Sequence, residues 1–146
     1  MLYIDTSVIV KLYVKEDFSS DVSDWIRENN EAIPLTRFHD LEFTNAIDLK
    51  RFRSEITEEE SQYIMNKFDE HEMKGIYYRP SLEWPDIFQT ALDLSKKHTR
   101  QVGARSLDIL HIASSLTIKA TRFLTFDERQ TRLASFVGLK IESCIK

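Results

Sequence analysis

Glycine, proline and cysteine are all scarce in this 146-residue sequence, with three, three and one. The single thiol, Cys144, excludes a disulfide framework and a cysteine-rich zinc site. Gly75, Gly103 and Gly138 stand too far apart for a glycine-rich phosphate loop, so the usual nucleotide-binding fingerprints are absent. No apolar run approaches the ~20 residues of a membrane span. The opening Met1-Leu2-Tyr3-Ile4-Asp5 lacks the basic stretch of a signal peptide, so a soluble, cytoplasmic protein is expected. Positive charge is not in excess either. With 24 acids against 20 bases the net charge is −4, which on its face argues against a nucleic-acid partner.

What the chain does have is apolar and aromatic content, at 42% and 11%. A chain of this length buries roughly 70% of its unfolded surface and needs no metal or disulfide to fold. No repeat or flexible linker divides it, so a single domain over residues 1–146 is expected. Leu2-Tyr3-Ile4, Ala32-Ile33-Pro34-Leu35, Ile76-Tyr77-Tyr78 and Arg122–Phe126 read as short buried strands, with Leu139-Lys140-Ile141 as an edge strand. Helical periodicity covers Thr6–Val14, Ser20–Asn29, Phe38–Phe52, Trp84–Lys97, Leu107–Lys119 and a short segment to about Phe136. On Phe38–Phe52 the apolar stripe is Phe38, Leu41, Ala46, Leu49 and Phe52. Thr57-Glu58-Glu59-Glu60 is a capping box that opens a further helix, with Tyr63, Ile64 and Phe68 inward and a stop near Gly75. Short apolar strands alternating with helices specify a three-layer α/β/α sandwich around a short, mainly parallel sheet. In such folds ligands bind beyond the carboxyl ends of the strands.

Four acids stand in awkward places. Asp5 and Asp127 directly follow apolar strands, Glu42 lies in or beside the stripe of its helix, and Asp108 is sandwiched in Leu107-Asp108-Ile109-Leu110. Each has an ordinary explanation. Asp5 and Asp127 suit helix N-caps, Asp108 suits a first turn capped by Ser106, and Glu42 could pair with Arg37. Taken together, four carboxylates from two strand ends and two helices can converge on one crevice. Such a cluster is self-repulsive unless cations neutralise it. Oxygen donors with no cysteine or histidine at ligand spacing select Mg²⁺ or Mn²⁺ over zinc, which is the equipment of phosphodiester hydrolysis.

Tyr3-Ile4-Asp5-Thr6-Ser7-Val8, Leu41-Glu42 with Asn45-Ala46, Arg105–Ala113 and Phe123–Arg129 resemble, in order and spacing, the PIN domain. They look most like its VapC-type toxins, the ribonuclease half of toxin–antitoxin pairs. The closing Leu133-Ala134 and Gly138–Ile141 resemble that family's last helix and strand, whereas residues 55–100 match by pattern only. The resemblance implies a Mg²⁺- or Mn²⁺-dependent endoribonuclease with Asp5, Glu42, Asp108 and Asp127 as its acidic quartet. It also implies support from the hydroxyls of Thr6 and Thr125, a homodimer, and a cognate antitoxin protein as partner. Asn45 shares Glu42's helix face and could hydrogen-bond the cluster. His111 shares Asp108's face and reads as a packed or surface histidine rather than a catalytic base.

The segment from Lys96 to Arg105 carries Lys96, Lys97, Arg100 and Arg105 and no acid, and it runs straight into Asp108. It reads either as a helix terminus complementing the dipole or as an RNA-contacting surface, and Lys50, Arg51 and Arg53 form a second basic cluster. Tyr13, Phe18, Trp25 and Trp84 are candidates for an exposed aromatic patch. Rival readings are a PIN-like nuclease acting on DNA, which lacks room here for a wrapping insert, and a non-catalytic PIN-like scaffold, which would not need all four acids. A phosphoacceptor receiver or an aspartyl phosphatase would want further acids beside Asp5, where Thr6 and Ser7 stand. Removing the four candidate ligands leaves as many acids as bases, so the excess negative charge becomes a reason for a metal.

Overall fold

The computed structural model describes residues 1–145. Its elements run β1 (Leu2–Ile4), α1 (Thr6–Val10), α2 (Ser19–Asn29), β2 (Ile33–Pro34), α3 (Arg37–Phe52), α4 (Glu58–Met73), β3 (Tyr77–Tyr78), α5 (Trp84–Val102), α6 (Ser106–Thr117), β4 (Arg122–Leu124), α7 (Glu128–Phe136) and β5 (Lys140–Glu142). They fall into two compact units, one of Met1–Asp5 with Pro80–Ser143 and one of Thr6–Arg79 with the C-terminal residues from Cys144. The chain is an α/β protein in which every strand pairing is parallel. No helix among the described residues is long and apolar enough to cross a membrane.

The first unit is organised by β4, which pairs with β1 on one side and β5 on the other. The β1 residues are all fully buried, as expected of a parallel strand covered on both faces. Tyr3 lies opposite Phe123 in the register, and their rings stack at 5.4 Å. Around this sheet α5, α6 and α7 pack a core that includes Ile87, Ile109, Ile112, Ala113 and Leu133. α5 runs to Val102, a turn beyond the expected end at Lys97, because Gly103 takes a left-handed conformation at φ +69° and closes the helix there. The amide of Asp5 bonds the Leu124 carbonyl at 3.1 Å, extending the β1–β4 ladder by one step. That step delivers Asp5 to the carboxyl ends of the strands.

The second unit contains a two-residue ladder, β2 with β3, closed by Ile33 N–H to Ile76 O and Leu35 N–H to Tyr78 O, both 2.9 Å. Its core is aromatic. Phe43 of α3 stacks on Phe68 of α4 at 4.2 Å, and Tyr13 meets both edge-on. α1 ends at Val10 rather than Val14, because Lys11, Leu12 and Tyr13 tighten into successive three-residue turns. The turn carries the Tyr13 hydroxyl to 2.7 Å from both His71 Nδ1 and the Tyr77 hydroxyl. Burial pushes the Tyr13 phenol well above its ordinary range and Tyr77 up to about 12.

Two expected faces are corrected. On α3 the buried residues are Phe38, His39, Phe43 and Ile47, whereas Leu41, Leu49 and Phe52 are exposed. The inward face contains a histidine that apolar periodicity does not count, and Thr36 satisfies it. The Thr36 hydroxyl accepts from His39 N–H, and Thr36 N–H donates to His39 Nδ1 at 3.1 Å. On α4 the expected Thr57–Glu60 capping box is present, but only Ile64 and Phe68 point inward. Tyr63 is exposed, with the Lys67 ammonium 5.9 Å from its ring centre. Nor do the four expected aromatics form an exposed patch. Phe18 is exposed, but Trp25 and Trp84 are half-buried, and Tyr13 belongs to the internal network.

Burial holds His71 below its ordinary pKa; Glu70 opposes that shift and Lys67 and Lys74 add to it. The unfolded chain takes up a proton at this residue near pH ~6.5, and the folded chain does so only at lower pH. Stability contributed at His71 is therefore complete above that value and is lost as the pH falls through the window between the two. Urea unfolding at pH 7.5 and pH 5.5 should show a smaller loss of stability in His71→Asn, which keeps an acceptor near the Nδ1 position, than in the wild type.

Candidate functional site

Asp5 stands at the carboxyl end of β1 and is almost wholly buried. Burying a carboxylate requires donors, and two residues of the first unit supply them. The Thr125 hydroxyl, just past β4, donates to Asp5 Oδ2 at 3.1 Å, and Thr125 Oγ1 accepts the Asp127 backbone amide at 3.0 Å. His111, buried on α6, places Nε2 3.4 Å from Asp5 Oδ1 and Nδ1 2.9 Å from the Tyr3 hydroxyl. Because a carboxylate only accepts, this arrangement calls for the hydrogen on Nε2. His111 is therefore the packed histidine the sequence suggested, and one in contact with the site.

Asp108 is the third residue of α6 and is also buried. The cap of that helix is Arg105 rather than Ser106. Asp108 Oδ2 accepts from the Arg105 amide and from Arg105 Nε, both at 3.1 Å, and Oδ1 accepts from Gln130 Nε2 at 3.1 Å. Burial raises the Asp108 pKa, but the Arg105 and Gln130 donors outweigh it and leave the group below the ordinary carboxylate value. Asp127 caps α7, its Oδ1 accepting the Gln130 amide at 2.9 Å. The Arg105 guanidinium reaches Asp127 Oδ2 at 3.5 Å, so a single cation spans Asp108 and Asp127. Shared partners therefore link all three aspartates, through Thr125 for Asp5 and Asp127, and through Arg105 and Gln130 for Asp108 and Asp127.

In the second unit Glu42 on α3 is half-buried and accepts the Thr6 hydroxyl at 2.7 Å. Thr6 opens α1 and is the residue after Asp5 in the chain. Asn45 is exposed and makes no side-chain hydrogen bond among the described residues, so the geometry gives it no part in orienting Glu42. Lys96, Lys97 and Arg100 lie on α5, exposed and without an ion pair among the described residues. Arg105, read from the sequence as part of that basic surface, turns to the carboxylates instead.

Gln130 escaped the sequence reading. Its signal was present as Asp127-x-x-Gln130, the spacing of a capping box, which placed a long amide one turn from Asp127. The donor set suits a hard divalent cation, with acceptor-only carboxylates and no thiolate. That a guanidinium already spans two of them shows that the cluster draws positive charge.

Thr125→Val keeps the shape of the side chain and removes both bonds of its hydroxyl. The Asp5 oxygen and the Asp127 amide would each lose a buried partner, so unfolding in urea should show a loss of about 1–3 kcal/mol. Thr125→Ser, which retains the hydroxyl, should lose much less.

Comparisons with known proteins bear on the fold and the family. A solved chain described as FitAcB from Neisseria gonorrhoeae superposes with a TM-score of 0.69, covering 99% of this chain and 98% of its own, at 10% identity. That likeness establishes the fold. No curated protein matches in sequence. The family model for the PIN domain matches residues 2–135, and the chain belongs to the PIN domain family.

Proposed function

We propose that this PIN domain is an endoribonuclease that uses Mg²⁺ or Mn²⁺ to hydrolyse RNA phosphodiester bonds, with Asp5, Asp108, Asp127 and Glu42 as its acidic quartet. The observation that carries the reading is the pair of donors, Arg105 and Gln130, that the Asp108 and Asp127 carboxylates share, together with Thr125, which donates to the Asp5 carboxylate and accepts the Asp127 backbone amide. Structural capping alone would not require two carboxylates to share their donors, nor Asp5 and Asp108 to be almost fully buried. A bound divalent cation supplies neutralisation of charge on the phosphate and activation of a water.

The chain's own residues supply the placement. Thr125 fixes the Asp5 carboxylate and Thr6 fixes Glu42, each through a hydroxyl donor. Gln130 and Arg105 keep Asp108 ionised and correctly turned. A divalent cation held by these carboxylates would take over the charge that Arg105 balances, and the planar donors of the exposed guanidinium suit phosphate. Lys96, Lys97 and Arg100, exposed on α5, extend positive charge along the RNA backbone. Motif order resembling VapC-type toxins supports a cytoplasmic toxin that forms a homodimer and is restrained by a cognate antitoxin.

Cleavage of a panel of structured RNAs tests the reading. Wild-type protein with Mg²⁺ or Mn²⁺ should cut, excess EDTA should stop it, and Asp5→Ala and Asp108→Asn should each lose about 100-fold or more in rate. Metal-independent cleavage, or full activity in both variants, would contradict it. Binding of the same RNAs without cleavage in any divalent ion would favour the non-catalytic scaffold.

A further inference from the structure

Gln130 makes two direct bonds to two different carboxylates of the site. Its side-chain Nε2 donates to Asp108 Oδ1 at 3.1 Å, and its backbone N–H donates to Asp127 Oδ1 at 2.9 Å. The residue is almost completely buried. Its orientation is set by chemistry, because a carboxylate only accepts and so must face the amide nitrogen. That leaves Oε1 buried without a hydrogen-bond partner among the described residues. An unsatisfied buried acceptor is costly, and a methionine or leucine would fill the same space without it. The backbone bond to Asp127 is available to almost any residue at this position. What the glutamine side chain adds is the bond to Asp108.

We propose that Gln130 is a positioning residue that sets Asp108 against Asp127 so that both carboxylates can share one divalent cation. The proposal rests on the metal-dependent reading above. Gln130 is placed for the task by its backbone bond to Asp127 in the first turn of α7 and by the near-complete burial of its side chain. Arg105 also holds Asp108, but from an exposed side chain that can leave. Gln130 therefore supplies the fixed donor and Arg105 the exchangeable one. Partners of metal-binding carboxylates commonly change metal affinity by about 10–100-fold when removed.

The test compares the wild type with Gln130→Met and Gln130→Leu, using Mn²⁺ affinity measured by electron paramagnetic resonance and stability measured by urea unfolding in EDTA. Mn²⁺ affinity should fall about 10-fold in both variants, while the metal-free urea midpoint stays near the wild-type value, because the donor lost to Asp108 is offset by removal of the orphaned acceptor. A structural role would instead lower the midpoint. Unchanged Mn²⁺ affinity, or a fall that appears only alongside a lowered midpoint, overturns the proposal. The failure of the wider reading looks different. Wild-type protein that binds no Mn²⁺ removes the metal and this role together. Wild-type protein that binds Mn²⁺ with the expected Gln130 dependence, but cuts no RNA, supports the positioning role and removes only the ribonuclease assignment.

Discussion

Burial of carboxylates at the carboxyl ends of a parallel sheet is the constraint that the donors of the first unit answer. Parallel pairing of β1 with β4 brings the residues that follow both strands to one end of the sheet, and those residues include Asp5 and Asp127. α6 adds Asp108 in its first turn. Held close in a partly dry environment, such groups would ordinarily protonate or push apart. Here each is given donors, from a hydroxyl, an amide side chain, backbone N–H groups and a guanidinium. These interactions keep negative charge in place, and concentrated negative charge is a site for a cation.

The donors divide into fixed and movable ones. Thr125, Gln130 and His111 are buried, and their bonds are part of the packing. Arg105 is exposed at the rim and serves as a counter-charge that solvent or a ligand can replace. In the second unit the Thr6 hydroxyl donates to Glu42. Its interior includes aromatic stacking beside aliphatic side chains, and the part-buried Tyr13–His71–Tyr77 network, whose polar atoms satisfy one another.

Much of this was legible in the sequence, for a physical reason. A buried parallel strand must be continuously apolar, so an acid directly after Leu2-Tyr3-Ile4 or Arg122–Phe126 stands out against its surroundings. Asp108 was visible for the same reason inside an apolar helix. The face of α3 was misread because its buried residues include His39, a polar group made compatible with the core only by Thr36, and apolar periodicity does not register such a pair. Arg105 looked like a surface cation because charge in a sequence carries no direction, and only the fold turns it onto Asp108 and Asp127. Gln130 was missed because a neutral amide draws attention only once its partner is known. The ends of α1 and α5 shifted because local turn geometry, not composition, decides where a helix stops.

That these carboxylates are held in order to bind a divalent cation is open to direct measurement. The melting temperature of the wild-type protein, stripped with EDTA and titrated with Mn²⁺, tests it most directly, since a ligand that binds only the folded state raises stability with its concentration. The melting temperature should climb steadily with Mn²⁺ in the wild type and stay flat in an Asp5→Asn/Asp108→Asn double variant. A wild-type melting temperature indifferent to Mn²⁺ and Mg²⁺, or an equal climb in the double variant, would contradict it.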